Sequence, residues 1–289
     1  KVKPEMDWLY ETRCDRCDGR AKVVHTVFSQ VFQCPRCLKK VALFDCVEVE
    51  KETRARKIKM VKACPSCHKN GIIEEIRSQS KKFGSIPVLT KYKCLEGCHP
   101  EEDERLHNDK DLKKRDFFER FDVSKLNEIT SKKIPYWYPI GYSMKELSRY
   151  QRDALRLYDV NEVADILTKR NLWALSLLRA KAMDVNLSDV FLFPLTGITL
   201  AMSRMQRYSP SSSFPNMLLM GTYYLPQIGR ELNVETWYVG KIRSLINGFK
   251  SIEAKDWNIL VSTESSCDLQ GKDNSIDYIF TDPPYSHTI

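Results

Sequence analysis

Four closely spaced cysteine pairs constrain this chain more than any other feature: Cys14-x2-Cys17, Cys34-x2-Cys37, Cys64-x2-Cys67 and Cys94-x3-Cys98. A pair at that spacing fits on one tight knuckle. Two knuckles brought together present four thiolates at the corners of a tetrahedron, about 2.3 Å from a Zn²⁺ ion. A chain of 289 residues, 42% of them hydrophobic, can bury a core without covalent staples, so disulfides explain these cysteines less well than metal does. Cys46 and Cys267 remain as singletons and read as small buried apolar residues.

Taken in chain order, the first two pairs make one site and the last two another. The spacer between Cys17 and Cys34 contains "KVVHTVFSQVF", β-branched and aromatic, which reads as a short hairpin. The longer spacer between Cys67 and Cys94 reads as strands broken at Gly84 and Pro87. This predicts one zinc ribbon over residues 1–50 and a second over 51–105. His68 and His99 each follow a cysteine directly; they are alternative ligands, with an exposed neighbour as the default role. Four protein ligands leave no open position for water or substrate, so the two expected Zn²⁺ ions are structural and chemistry must be sought elsewhere.

Residues 106–256 read as a mainly helical connecting or recognition region. The charged stretch from Glu101 to Lys133, with Phe117 and Phe121 at helical spacing, predicts a connecting helix, ended by the extended aromatic segment "IPYWYP". Thr168 caps a predicted helix whose apolar face is Leu172, Leu175 and Leu178, with Lys169, Arg170 and Arg179 towards solvent. Ser188 is the expected cap of the next helix, kinked or begun at Pro194. "GTYYLP" reads as a strand and "VETWYVGKIRSLINGF" as an amphipathic helix.

Lys plus Arg outnumber Asp plus Glu by 46 to 38, and the net charge of +8 favours anionic partners without demanding them. The basic stretch "KETRARKIKMVK" suits phosphate contact or a solvated strand equally. No apolar run approaches the roughly 18 residues of a membrane span, and the N-terminus lacks a signal-peptide core. The expectation is a cytoplasmic protein with no membrane partner.

Near the end, Asn258–Ser262 and Asp277–Thr281 read as two strands around a "GKDNS" turn, the second delivering Asp282-Pro283-Pro284-Tyr285 to its carboxyl end. This stretch, "YIFTDPPY", resembles the signature of amino-group DNA methyltransferases. More loosely, the order of cysteine pairs, "IPYWYP", "TKRNLWALS", "GTYYLP" and "STESSCDL" is similar to zinc-ribbon-containing prokaryotic site-specific methylases along nearly the whole chain. The resemblance implies a class I, Rossmann-like α/β methyltransferase, partial, with two inserted zinc ribbons and a helical region. It implies S-adenosylmethionine as cofactor, double-stranded DNA with a flipped base as substrate, and a restriction endonuclease as a candidate partner. Asp282 and the carbonyl of Pro283 would accept the hydrogens of the target amine, Pro284 would stiffen the turn, Tyr285 would stack on the base, and Asp268 would lie beside the cofactor adenine. Adenine N6 is favoured over cytosine N4. The family's glycine-rich cofactor loop has no counterpart, since the chain contains no GxG. The expectation is therefore a piece of a longer protein, inactive alone, with that loop upstream of Lys1. An RNA or tRNA base methylase and a non-catalytic zinc-ribbon nucleic-acid-binding module are the alternatives.

Overall fold

The computed structural model describes residues 2–52, 58–77, 80–153, 155–209, 218, 221–251, 275–278 and 280. Residues Lys1–Gly248 form one compact unit and Phe249–Ile289 a second. In the second unit Asp268, Cys267 and the whole Asp282–Tyr285 loop lie outside the described residues, as does most of the strand pair expected over 258–281. The methyltransferase sheet expected there is thus not among the elements described below.

The first unit opens with α1 (Lys3–Tyr10) and β1 (Glu11–Arg13), then β2 (Arg20–Gln33), β3 (Lys40–Ala42), β4 (Val47–Glu52) and β5 (Ile58–Ala63). The short α2 (Pro65–His68) precedes β6 (Lys82–Cys94) and β7 (Glu102–Leu106). Helices follow: α3 (Leu112–Phe117), one π-helical turn (Phe118–Val123), α4 (Ser124–Ser131) and α5 (Ser148–Arg152). Next come α6 (Lys169–Met183), α7 (Ser188–Thr199), β8 (Ile228–Leu232) and α8 (Val234–Ser251).

The element that organises all of this is β2. "RAKVVHTVFSQVFQ" runs as one strand of 14 residues and not as the hairpin expected of its centre. A hairpin needs turn residues, and the segment has no Gly, Pro, Asn or Asp to make one. One edge of β2 pairs with β6 for most of its length, and the other is shared in succession by β1, β8 and β3. Every pairing among the described strands is antiparallel. β6 passes through both residues expected to break it. Gly84 takes a positive φ of 83°, and Pro87 sits opposite Phe28 where β7 has not yet joined, so no ladder bond is forfeited on that edge. Register shifts along β2–β6 absorb the irregularities.

The main core lies where α1, α6 and α7 pack on one face of the sheet, around Met6, Leu9, Leu177, Ile198 and Leu232. Several expectations from sequence change here. Glu102–Leu106 is a strand, so the connecting helix begins only at Leu112, capped by Asp111, whose side chain accepts from the Lys113 N–H at 2.8 Å. "GTYYLP" is irregular, and the strand lies just beyond it, at β8. Thr168 caps α6 as expected, accepting from the Asn171 N–H, and Ser188 is the first residue of α7, with Pro194 inside the helix. Arg170, placed towards solvent by the leucine pattern, is only 3% exposed. It donates to Glu231 on β8 through Nε at 3.0 Å and to Thr26 on β2 at 2.8 Å. Thr168 also bonds that carboxylate. A buried guanidinium needs such a partner, and β8, 61 residues away in sequence, supplies it.

Candidate metal centres

The eight cysteines do gather into two quartets, but with the pairings exchanged. Cys14 and Cys17 join Cys94 and Cys98, while Cys34 and Cys37 join Cys64 and Cys67; within each quartet all the sulfurs lie within 4.8 Å of one another. The expected ribbons, one within residues 1–50 and one within 51–105, are therefore replaced by two interleaved sites. The reason is β2. Fourteen extended residues span roughly 40 Å, so the knuckles at its two ends are too far apart to share an ion. β6 returns antiparallel, places Cys94 opposite Ala21, and so carries the fourth knuckle to the first.

The first two knuckles repeat one backbone device. The Cys14 N–H donates to Gly19 O and the Asp18 N–H to Cys14 O; the Cys34 N–H donates to Lys39 O and the Leu38 N–H to Cys34 O. Asp18 and Leu38, each just after the second cysteine, take positive φ values of 58° and 59°. A non-glycine residue is rare in that region, and here the turn around the sulfurs requires it. The third knuckle is instead the single turn α2, from which the His68 N–H reaches Cys64 O. The fourth turns at Gly97, φ 70°.

Sulfur separations are 3.5 Å for Cys14–Cys98, 3.7 Å for Cys17–Cys94 and 3.4 Å for Cys94–Cys98. In the other quartet Cys34–Cys67 and Cys37–Cys64 are both 3.7 Å. A tetrahedron of thiolates at the zinc–sulfur bond length has edges of about 3.8 Å. The donor set and spacing thus fit Zn²⁺, and four sulfurs leave it no open position. None of the nine described cysteines is in a disulfide. Burial opposes ionisation of Cys14, but backbone N–H groups of Cys17 and Arg16, with His99 and Cys98, bring its thiol down to about 6. The Lys39 backbone N–H is the main cause bringing Cys37 to about 7. Burial and the neighbouring sulfurs push Cys67 up to about 12 and raise Cys98 as well. Ionisation is thus eased at Cys14 and Cys94 in one quartet and at Cys37 in the other, and opposed at Cys17 and Cys98 and at Cys64 and Cys67 beside them, a conflict that a divalent cation resolves.

The surroundings of the two sites differ. Behind Cys14 lies His99, buried where an exposed neighbour was expected, with Nε2 3.6 Å from Cys14 Sγ and Nδ1 2.7 Å from Glu101 O. Its ring meets Tyr92 edge-on, and the Tyr92 hydroxyl donates to Asp15 at 2.7 Å. Over Tyr92 sits the fully buried Arg105, paired through Nε at 2.6 Å and Nη2 at 2.9 Å with Asp122 of the π-helical turn, and donating to Arg13 O just before the knuckle. Nothing in the periodicity of "EEDERLHNDKDLKKRDFFERF" separates this arginine from its solvated neighbours. The second site is backed by Phe32, Val41, Leu43 and Ile76. Cys46 joins that apolar cluster, its thiol pushed up to about 12 by burial, and His68 is exposed as expected. Among the described residues no helix is long and apolar enough to cross a membrane. Comparison with protein-family models, curated proteins and solved structures finds no match to this chain.

Proposed function

We propose that this chain is part of an S-adenosylmethionine-dependent enzyme that methylates an exocyclic amino group of a DNA base, adenine N6 ahead of cytosine N4. Its first compact unit would be a zinc-stabilised module that helps to hold the nucleic acid. The observation that carries this reading is Asp282-Pro283-Pro284-Tyr285 at the end of an alternating apolar run. A base amine has its lone pair delocalised into the ring and attacks poorly until acceptors hold its hydrogens. Asp282 and the Pro283 carbonyl would be those acceptors, and Tyr285 would stack on the flipped base. S-adenosylmethionine supplies the methyl group when bound, and Asp268 is its proposed contact. A cytoplasmic setting suits the unpaired cysteines.

Labelled-methyl transfer to duplex DNA by the intact protein tests the reading. Asp282→Ala should lower transfer by about 10²–10³ and leave DNA binding in place, while Tyr285→Phe should be mild because stacking uses the ring. Near-normal transfer by Asp282→Ala would sink the assignment. A second reading, a zinc-dependent nucleic-acid-binding module without catalysis, would then take over; it is favoured by both quartets being closed by four protein ligands. An RNA base is the nearest alternative substrate.

A further inference from the structure

We propose that the first unit binds the phosphodiester backbone of a nucleic acid along one defined track: a cationic pocket between β2, β6 and β8, continued by a lysine and aromatic strip at the end of β2. The inference shares the nucleic-acid partner with the proposed function but does not depend on methyl transfer.

The pocket has a volume of about 310 Å³, a size suited to a small polar ligand group, and its wall includes Gln30, Ser85, Tyr158, Ser203, Arg204 and Arg230. Its one carboxylate, Glu231, is already held by Arg170 and Thr168. Arg204 donates to two neutral carbonyls, Asp165 O at 2.8 Å and Tyr158 O at 3.1 Å. Asp165 and Asp159 are near enough to be felt, yet neither forms an ion pair with it among the described residues. Arg230 is likewise without an ion pair, and its Nε is buried with no protein partner. Burial works against the charge of both arginines. Two partly buried guanidiniums, one with an unused buried donor, beside hydroxyls and an amide are a setting that an anionic oxygen group satisfies.

The strip begins two rungs along the same strands. Gln30 pairs with Ser85 at the pocket, and Phe32 pairs with Lys82 beyond it. Lys82 Nζ lies 4.5 Å from the ring centre of Tyr158, which lines the pocket, so pocket and strip are continuous. Next, Lys40 and Lys81 flank the exposed Phe83, their Nζ atoms 4.3 and 5.3 Å from its ring centre. The strand ends meet here: Gln33 pairs with Lys40, and its N–H donates to Lys81 O. The knuckle of the second metal quartet follows at once and carries exposed Arg36 and Lys39. None of these lysines and arginines makes an ion pair among the described residues, unlike the cations around β7 and α4. Unpaired cations alternating with aromatic faces are what a phosphate backbone and its bases require.

The test is fluorescence anisotropy of the intact protein with labelled duplex DNA, single-stranded DNA and RNA, over a range of salt and without methyl donor. The triple variant Lys40→Gln/Lys81→Gln/Lys82→Gln should weaken binding about 10- to 100-fold and flatten the slope of log affinity against log salt by roughly two to three. Arg230→Gln should cost about tenfold and reduce that slope by about one. A control triple of exposed cations elsewhere, Lys145→Gln/Lys241→Gln/Arg243→Gln, should change little. The affected residues are at the surface or pocket wall, and thermal unfolding of each variant checks that the fold is kept. The three probes say which nucleic acid is preferred. Failure of all three to bind, or equal loss in the control triple, overturns the proposal. The binding assay contains no methyl donor and reads no methyl transfer, so a failed methylation assay and a failed track are told apart.

Discussion

The two cysteine quartets use the same residue type at almost the same spacing, yet they join different parts of the chain. The site at the β1–β2 end takes its knuckles from Cys14–Cys17 and Cys94–Cys98, with most of the sheet between them in sequence. It sits where the start of β2 and the end of β6 pair, and it is backed by polar groups: His99, Tyr92 with Asp15, and Arg105 with Asp122. The site at the β2–β3 end joins Cys34–Cys37 to Cys64–Cys67, nearer neighbours, over an apolar floor. One site fastens the topology and the other stiffens a local corner. Loop-closure entropy rises with the intervening length, so the first site constrains the unfolded chain more than the second.

The largest effect expected is loss of metal. The purified protein should carry about two Zn²⁺ per chain, and stripping both with a chelator should remove on the order of 10 kcal/mol of apparent stability per site, read by denaturant unfolding. Cys94→Ser should lose one metal equivalent and loosen the β2–β6 ladder throughout. Cys64→Ser should lose the other and loosen only the neighbouring β4–β5 strand pair and knuckle. Hydrogen exchange along β2 separates the two outcomes, and equal, global loss in both variants would break the comparison.

Next in size is the polar support of the first site. Arg105→Met leaves Asp122, 4% exposed, without its cation and should cost about 3–5 kcal/mol. Replacing both partners by apolar residues should recover much of it, which a double-mutant cycle would measure.

His25, midway along β2 between the two sites, gives a pH-dependent term of about 3 kcal/mol. Burial, with Arg230 and Lys91 nearby, lowers its pKa from 6.5 to about 4. A depressed histidine pKa means the unfolded chain takes up the proton first as pH falls. Its stabilising contribution is therefore whole above about pH 6.5 and fades as pH drops towards 4. In His25→Leu the difference in unfolding free energy from the parent should shrink or reverse over that window, and a constant difference would refute it. The smallest effect expected is Tyr92→Phe. It removes the 2.7 Å bond to buried Asp15 and should cost about 1–3 kcal/mol, in a thermal melt, with the second site's metal content unchanged.

Much of this protein could be read from residue order. The eight cysteines that gather into quartets were legible as candidate ligands because a thiol pair with two or three residues between has few other uses in a chain of this size. The capped helix at Thr168, the amphipathic helix after Asn233 and the buried character of Cys46 were legible because periodicity and capping are local properties. The role of Arg170 was not, because its partner Glu231 arrives from a distant strand, and a pattern of leucines cannot show which neighbour is an arginine with a carboxylate waiting.

The pairing of the knuckles shows the division most plainly. Sequence determined that there would be four knuckles and two candidate sites, and it held one further signal, the lack of any Gly, Pro, Asn or Asp between Lys22 and Gln33. Which knuckle meets which was decided only by the tertiary structure, through the length of one uninterrupted strand and the antiparallel return of its partner. Local spacing makes a knuckle. A metal site needs two, and their meeting depends on distances that only the assembled sheet sets.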